Sequence, residues 1–195
     1  MPRPATPARR SLPNQVRIIG GAWKRTPLPV ADRPGLRPTP DRVRETLFNW
    51  LGQDLTGWRC VDAFAGTGAL GLEAASRGAA DVLLVEAEGA LVDQLRALVK
   101  KLDAGNVRVQ RGNALTVLAA LPPAGVDAVF LDPPFDADLF DKALAAARPA
   151  LTSEGFVYLE APHAWQAEAL ARHRLELVRH MKAGAVHGHL LRPVA

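Results

Sequence analysis

The stretch Phe130-Leu131-Asp132-Pro133-Pro134-Phe135 ends an apolar run on a carboxylate, two prolines and an aromatic ring. Asp132 supplies a hydrogen-bond acceptor. Pro133 and Pro134 have no backbone N–H and a fixed φ, so they form a stiff turn whose carbonyls meet no competing donor. A carboxylate beside an imide carbonyl makes two acceptors, the set that an exocyclic amine with two hydrogens requires. Phe135 adds a flat face on which a base can stack. In isolation, Asp-Pro-Pro reads as a proline turn that closes a strand.

A second constellation lies upstream, in "VDAFAGTGALGLEAASRG" from Val61 to Gly78. A strand ends on Asp62 and Phe64, the chain turns through Gly66-Thr67-Gly68, and a helix opens. Glycines at 66 and 68 let the backbone approach a ligand closely. Gly71 completes a G-x-G-x-x-G spacing, which dinucleotide enzymes share. Asp62 argues for a different ligand, because a carboxylate suits a cationic or amino-acid group better than a pyrophosphate. Glu86, at the end of the next strand, can accept both hydrogens of a ribose diol. Asn113, followed by Ala114, either meets an adenine amino group or caps a helix, and both roles are compatible.

These residues need a frame that brings strand ends together. From residue 58 the pattern alternates strand and helix, with strands expected at about 59–64, 81–85, 107–110, 126–131 and 155–160. Helices are expected at about 69–77, 88–102, to Leu121, and 138–148. Residues 163–192 predict a helix and two antiparallel strands turning near Gly184. Such alternation implies an α/β fold: a Rossmann-like, mostly parallel sheet with helices on both faces and an antiparallel last strand. Ligands then sit outside the carboxyl ends of the strands. Upstream, residues 15–30 predict a hairpin turning at Gly20-Gly21 with Trp23 opening the return. Thr39 is expected to cap a helix whose apolar stripe is Val43, Leu47, Phe48 and Leu51, stopped by Gly52.

At 195 residues and 48% apolar composition, a sizeable core is expected. No apolar run approaches a membrane span of about 20 residues. Residues 1–14 read as a basic disordered tail, since four prolines oppose an amphipathic helix. The lone Cys60 rules out an internal disulfide framework and reads as a small buried residue. Residues 1–44 carry a net charge of +8, residues 45–159 carry −6 and residues 160–195 carry +2. A basic arm on an acidic body is the pattern of a chain that meets polyphosphate. The expected organisation is the tail, an RNA-binding extension over 15–57, and a catalytic domain over 58–195.

The strand-one acid, glycine turn, strand-two acid and polar residue after strand three resemble the core of the class I methyltransferases over about 58–160. "RIIGGAWKRTPLPV", "GLRPTPDRVRETLFNWL" and "DPPF" extend the resemblance, from about residue 17, to the bacterial RsmD family. That family modifies guanine N2 in 16S ribosomal RNA. The resemblance implies S-adenosylmethionine as cofactor, bound by Asp62, Phe64, Gly66, Gly68, Glu86, Asn113, Ala114 and Thr39. It implies transfer at Asp132, Pro133 and Phe135, and N2-methylguanosine at rRNA position 966 as product. The partner implied is 16S rRNA within an assembled or assembling small subunit, met by a cytoplasmic, metal-free monomer. Arg17, Trp23, Lys24, Arg25 and Arg37 are the expected RNA contacts, with Arg33 beside them. Arg37, Thr39 and Arg42 are expected near the cofactor or substrate, and the alternative for Arg42 and Arg44 is a solvated helix face. The last strand, "VHGHLLRP", departs from the family's aromatic-rich run, and His187 and His189 are expected to face solvent or RNA. A DNA amino methyltransferase and a non-catalytic RNA-binding assembly factor remain as alternatives.

Overall fold

The computed structural model describes residues 15–30, 39–135 and 139–194. The expected tail, Arg33 and Arg37 lie outside the described residues. Two short strands, β1 (Gln15–Arg17) and β2 (Pro27–Pro29), pair antiparallel and precede α1 (Asp41–Trp50). The alternating part comprises β3 (Arg59–Asp62), α2 (Ala69–Ser76), β4 (Asp81–Glu86), α3 (Gly89–Lys101), β5 (Val107–Arg111), α4 (Ala114–Ala119), β6 (Val126–Leu131), α5 (Phe140–Ala147) and β7 (Leu151–Ala161). Then come α6 (Ala167–Ala171), β8 (Leu175–Ala183) and β9 (Val186–Pro193). The sheet order is β5-β4-β3-β6-β7-β9-β8, and β9 runs antiparallel to both its neighbours. Strand order reverses between β3 and β6, which opens a crevice above their carboxyl ends.

Alternation along the strands decides which side chains meet. Asp62 pairs with Phe130 and Phe130 with Tyr158, so these three point to one face. That face carries the core formed with α1, α2 and α3, including Leu47, Phe48, Leu72 and Leu95. Val61, Val129 and Val157 point to the other face, against α4 and α5. The N-terminal extension shares the first core: Val16, Ile18, Leu28, Val43, Leu47 and Leu55 are all buried in it. Phe48 of α1 lies 6.1 Å from Phe130, directly beneath the end of β6.

Three local expectations are corrected. The return strand of the hairpin begins at Pro27 rather than Trp23, and Gly20-Gly21 do not form a tight hairpin turn. They press against α2 instead, and a Cβ on Gly21 would lie 1.8 Å from the Ser76 carbonyl oxygen. The N-cap of α1 is Pro40, with no side-chain cap, and Thr39 is buried with its hydroxyl turned elsewhere. β7 starts at Leu151, earlier than expected, because the polar "TSEG" that hid it is accommodated by a register shift against β6.

Candidate active site

The glycine turn is held from inside by acids. Asp62, buried at the tip of β3, accepts the Gly71 N–H at 2.9 Å in the first turn of α2. Glu86, at the tip of β4, accepts the Gly66 N–H through one oxygen and the Glu88 N–H through the other, each at 2.9 Å. Gly68 has φ +78°, and a Cβ there would come within 2.7 Å of Leu95. These bonds turn two N–H groups of the G-x-G-x-x-G segment, at Gly66 and Gly71, onto carboxyls rather than toward the cleft. Asn113 caps α4, its oxygen accepting the Thr116 N–H at 3.2 Å, and the cap uses only that oxygen.

Above the turn lies a cleft of about 790 Å³. Asp62, Phe64, Gly66, Glu86, Asn113 and Ala114 line one part of it. Asp132, Pro133, Phe135, Thr39 and Glu160 line another, so the two constellations of the sequence face one space. Gly68 itself is not among the lining residues but shapes the turn beneath them. Phe135 is 41% exposed at the mouth, its ring 6.3 Å from Phe140. Five carboxyl side chains line the cleft (Asp62, Glu86, Glu88, Asp132 and Glu160) and, among the described lining residues, no lysine, arginine or histidine does. Burial, opposed by the Gly71 and Phe64 N–H groups, pushes Asp62 up to about 7, with Glu86 and Glu160 adding to the rise. Burial and the neighbouring Glu160 and Asp62 carboxyls push Asp132 well above the usual carboxylate range.

A family model described as Conserved hypothetical protein 95 matches residues 16–192. Ribosomal RNA small subunit methyltransferase D of Escherichia coli (strain K12) is 48% identical over 149 residues, 75% of this chain and 74% of that protein. The chain belongs to the RsmD family of methyltransferases. The protein of the same name from Haemophilus influenzae is 40% identical over 134 residues, 67% of this chain and 69% of its own. The solved structure of the Escherichia coli methyltransferase yhhF aligns with a TM-score of 0.78 at 42% identity, covering 93% of this chain and 99% of that one.

In this RsmD-family chain, the extension reaches the cleft through a buried ion pair. Glu73 of α2 is fully buried and accepts the Ile19 and Gly20 N–H groups at 2.7 and 2.8 Å. It also pairs with Arg77 at 2.8 Å and Arg44 at 3.3 Å. Arg44 is fully buried as well, donating to the Thr39 carbonyl at 3.2 Å and to the Arg17 carbonyl at 2.8 Å. The expectation of a solvated face therefore holds for Arg42, which is exposed and outside the cleft lining, and fails for Arg44. Thr39, fixed at its backbone by Arg44, donates its hydroxyl to Glu160. Arg17, Lys24 and Arg25 are exposed on the extension. Trp23 is half-buried against the core, with its backbone N–H on the Ser76 hydroxyl at 2.9 Å, so only part of its ring faces outward.

Glu160 was not singled out by sequence reasoning. It carried the same signal as Glu86, an acid ending an apolar run ("GFVYLE"), without a glycine loop to draw the eye. His189 corrects another expectation. It is fully buried, its Nε2 accepting the Trp165 N–H at 3.1 Å and its Nδ1 lying 3.2 Å from the Leu159 carbonyl. Burial pushes its pKa down to about 4, so it is a neutral structural group rather than an RNA contact. His187 stays half-exposed, its Nδ1 2.9 Å from His180 Nε2. No cluster suited to a metal ion occurs among the described residues. No helix of the described residues is long and apolar enough to cross a membrane.

Proposed function

We propose that this chain methylates the N2 amine of a guanine in 16S ribosomal RNA, using S-adenosylmethionine, on the small subunit or an assembly intermediate. Position 966 is the site that the family resemblance suggests, and the protein is read as a cytoplasmic monomer. The observation that carries the reading is the acid-lined cleft with no basic side chain among its described lining residues. Such a cleft favours a ligand bearing a sulfonium and an ammonium over any polyphosphate.

The residues fit that cofactor. Glu86 keeps free acceptor capacity on its oxygens for a ribose diol, since each so far takes one N–H. Asp62 adds a carboxyl acceptor near the glycine turn, and Gly66 and Phe64 line the cleft beside it. Asn113 and Ala114 line the cleft where α4 opens, and the Asn113 amide nitrogen left unused by the cap would meet the adenine there. When bound, the cofactor supplies an electrophilic methyl group on positively charged sulfur.

The chain's own residues prepare the nucleophile. An aromatic amine is a poor nucleophile because its lone pair is delocalised into the ring. Asp132 accepts one amine hydrogen and the Pro133 carbonyl accepts the other, drawing the nitrogen toward a tetrahedral shape. Phe135 stacks on the extruded base, a contact worth about 1–3 kcal/mol. The proton released by the amine passes to Asp132, whose raised pKa makes it a competent acceptor once ionised. Positioning and electrostatics thus carry the catalysis.

The test is incubation of purified protein with methyl-labelled cofactor and unmethylated small subunits, with the modified nucleotide mapped by mass spectrometry. Label at a guanine N2 supports the reading; label on another base, or none, overturns it. Asp132→Ala should lower turnover by at least ~10²-fold with cofactor affinity nearly unchanged. Glu86→Ala should weaken cofactor binding by about tenfold or more in calorimetry.

A further inference from the structure

Gripping an exocyclic amine does not by itself choose a base, because adenine, cytosine and guanine all present one. The neighbouring ring nitrogen differs. Guanine carries an N1–H donor beside its amine, whereas adenine N1 and cytosine N3 are acceptors. A site selective for guanine therefore needs a further acceptor next to the amine grip.

Glu160 meets that requirement. Leu131 pairs with Leu159 across β6 and β7, so Asp132 and Glu160 follow side by side at the carboxyl edge of the sheet. Both line the cleft, and Glu160 is only 4% exposed. The Tyr158 hydroxyl donates to Glu160 Oε1 at 3.1 Å, and the Thr39 hydroxyl donates to the same carboxylate. Burial raises the Glu160 pKa, while these two donors oppose that rise and fix the orientation of the carboxyl group. The packing reserves this place. Gly188 pairs with Glu160 in β9, and a Cβ at 188 would come within 2.8 Å of the Tyr158 hydroxyl. Asp62 and Glu86 are already engaged by backbone donors, Asp62 by the Gly71 N–H and Glu86 by the Gly66 and Glu88 N–H groups.

We propose that Glu160 is the specificity-determining residue for guanine, its carboxylate accepting the ring N1–H while Asp132 and the Pro133 carbonyl hold the amine. The inference rests on the proposed guanine-N2 reaction and assigns the base choice to one side chain. Protein neighbours, not solvent, hold the group: Thr39 ties it to the extension and Tyr158 to the sheet. Base selection is thereby linked to the ion pair of Arg44 and Glu73 that fixes Thr39.

The experiment compares small subunits carrying guanosine at the target with subunits carrying 2-aminopurine ribonucleotide there. 2-Aminopurine keeps the amine but has an acceptor at N1. The readout is the ratio of kcat/KM for the two substrates, in the wild-type protein and in Glu160→Gln. The wild type should prefer guanine by ~10–100-fold. Glu160→Gln, whose amide can donate to N1, should reduce that preference at least tenfold. The missing C6 oxygen of 2-aminopurine affects both proteins and cancels in the comparison. An equal fall in both rates, leaving the ratio unchanged, would assign Glu160 a purely structural role and overturn the proposal. Equal use of both substrates by the wild type would overturn it too. Failure of the wild type to methylate even guanine-bearing subunits would instead strike the underlying reaction, which separates the two failures.

Discussion

Asp62 keeps a proton that a surface carboxyl would have shed, and this has a measurable cost. Its pKa rises from 3.8 to about 7 on folding. Between those values the folded chain binds a proton that the unfolded chain releases, so stability declines as pH rises through that window. Asp62→Asn should reduce that slope, leaving the part due to Asp132 and Glu160, and raise Tm at pH 8, while weakening cofactor binding; thermal denaturation from pH 4 to 8 measures both slopes. His189 acts with the opposite sign: its pKa falls from 6.5 to about 4, so its contribution is present above pH 6.5 and fades as pH drops toward 4. A loss of stability on raising the pH of the Asp62→Asn protein as steep as in the wild type would contradict the assignment. At this scale the sequence was readable where an acid ended an apolar run beside glycine or proline, as at Asp62, Glu86 and Asp132. It was unreadable at Arg44 and His189. An arginine on a helix looks solvated until its partner, twenty-nine residues away in Glu73, is known. A histidine at alternating strand positions looks exposed until Trp165 folds over it.

Among the elements, α2 does more than open the cofactor turn. Its Glu73 gathers two loop N–H groups, Arg44 and Arg77, and its Ser76 takes the Ala22 and Trp23 N–H groups. Removing one member of a buried pair leaves the other uncompensated, at about 3–5 kcal/mol. Glu73→Ala should therefore lower unfolding stability by that order in urea titrations, and it should loosen the extension enough to impair base selection through Thr39. A change below ~1 kcal/mol would mean that Asp41, 2.5 Å from the Arg44 guanidinium, compensates that charge alone. The alternating α/β pattern was legible because apolar periodicity switches cleanly between strand and helix, as in "VDAVFL" and the Leu91, Leu95, Leu98 stripe of α3. The hairpin was misjudged because Gly20-Gly21 looks like a turn, whereas their lack of side chains serves close contact with α2. That contact is tertiary and leaves no local periodicity to read.

Across the whole molecule the charges are sorted by task. The exposed Arg17, Lys24 and Arg25 lie on the arm, while every charged side chain in the described lining of the cleft is acidic. RNA phosphate should therefore be drawn to the arm and repelled from the cofactor space. Replacing Arg17, Lys24 and Arg25 by glutamine should weaken subunit binding and reduce the slope of log K against log salt by about 0.7–0.9 per lost phosphate contact. Cofactor affinity should stay the same in calorimetry; an unchanged salt slope would remove these side chains from the RNA interface. The sharing of one core between arm and body also bears on how such enzymes can be recombined. Because the arm's loop amides end on Glu73 and Gly21 sits flush against Ser76, it is no detachable cassette. A chimera that grafts a relative's first fifty residues here needs matching side chains at 73 and 76. A lineage that retunes which nucleotide it recognises must carry the cofactor half along.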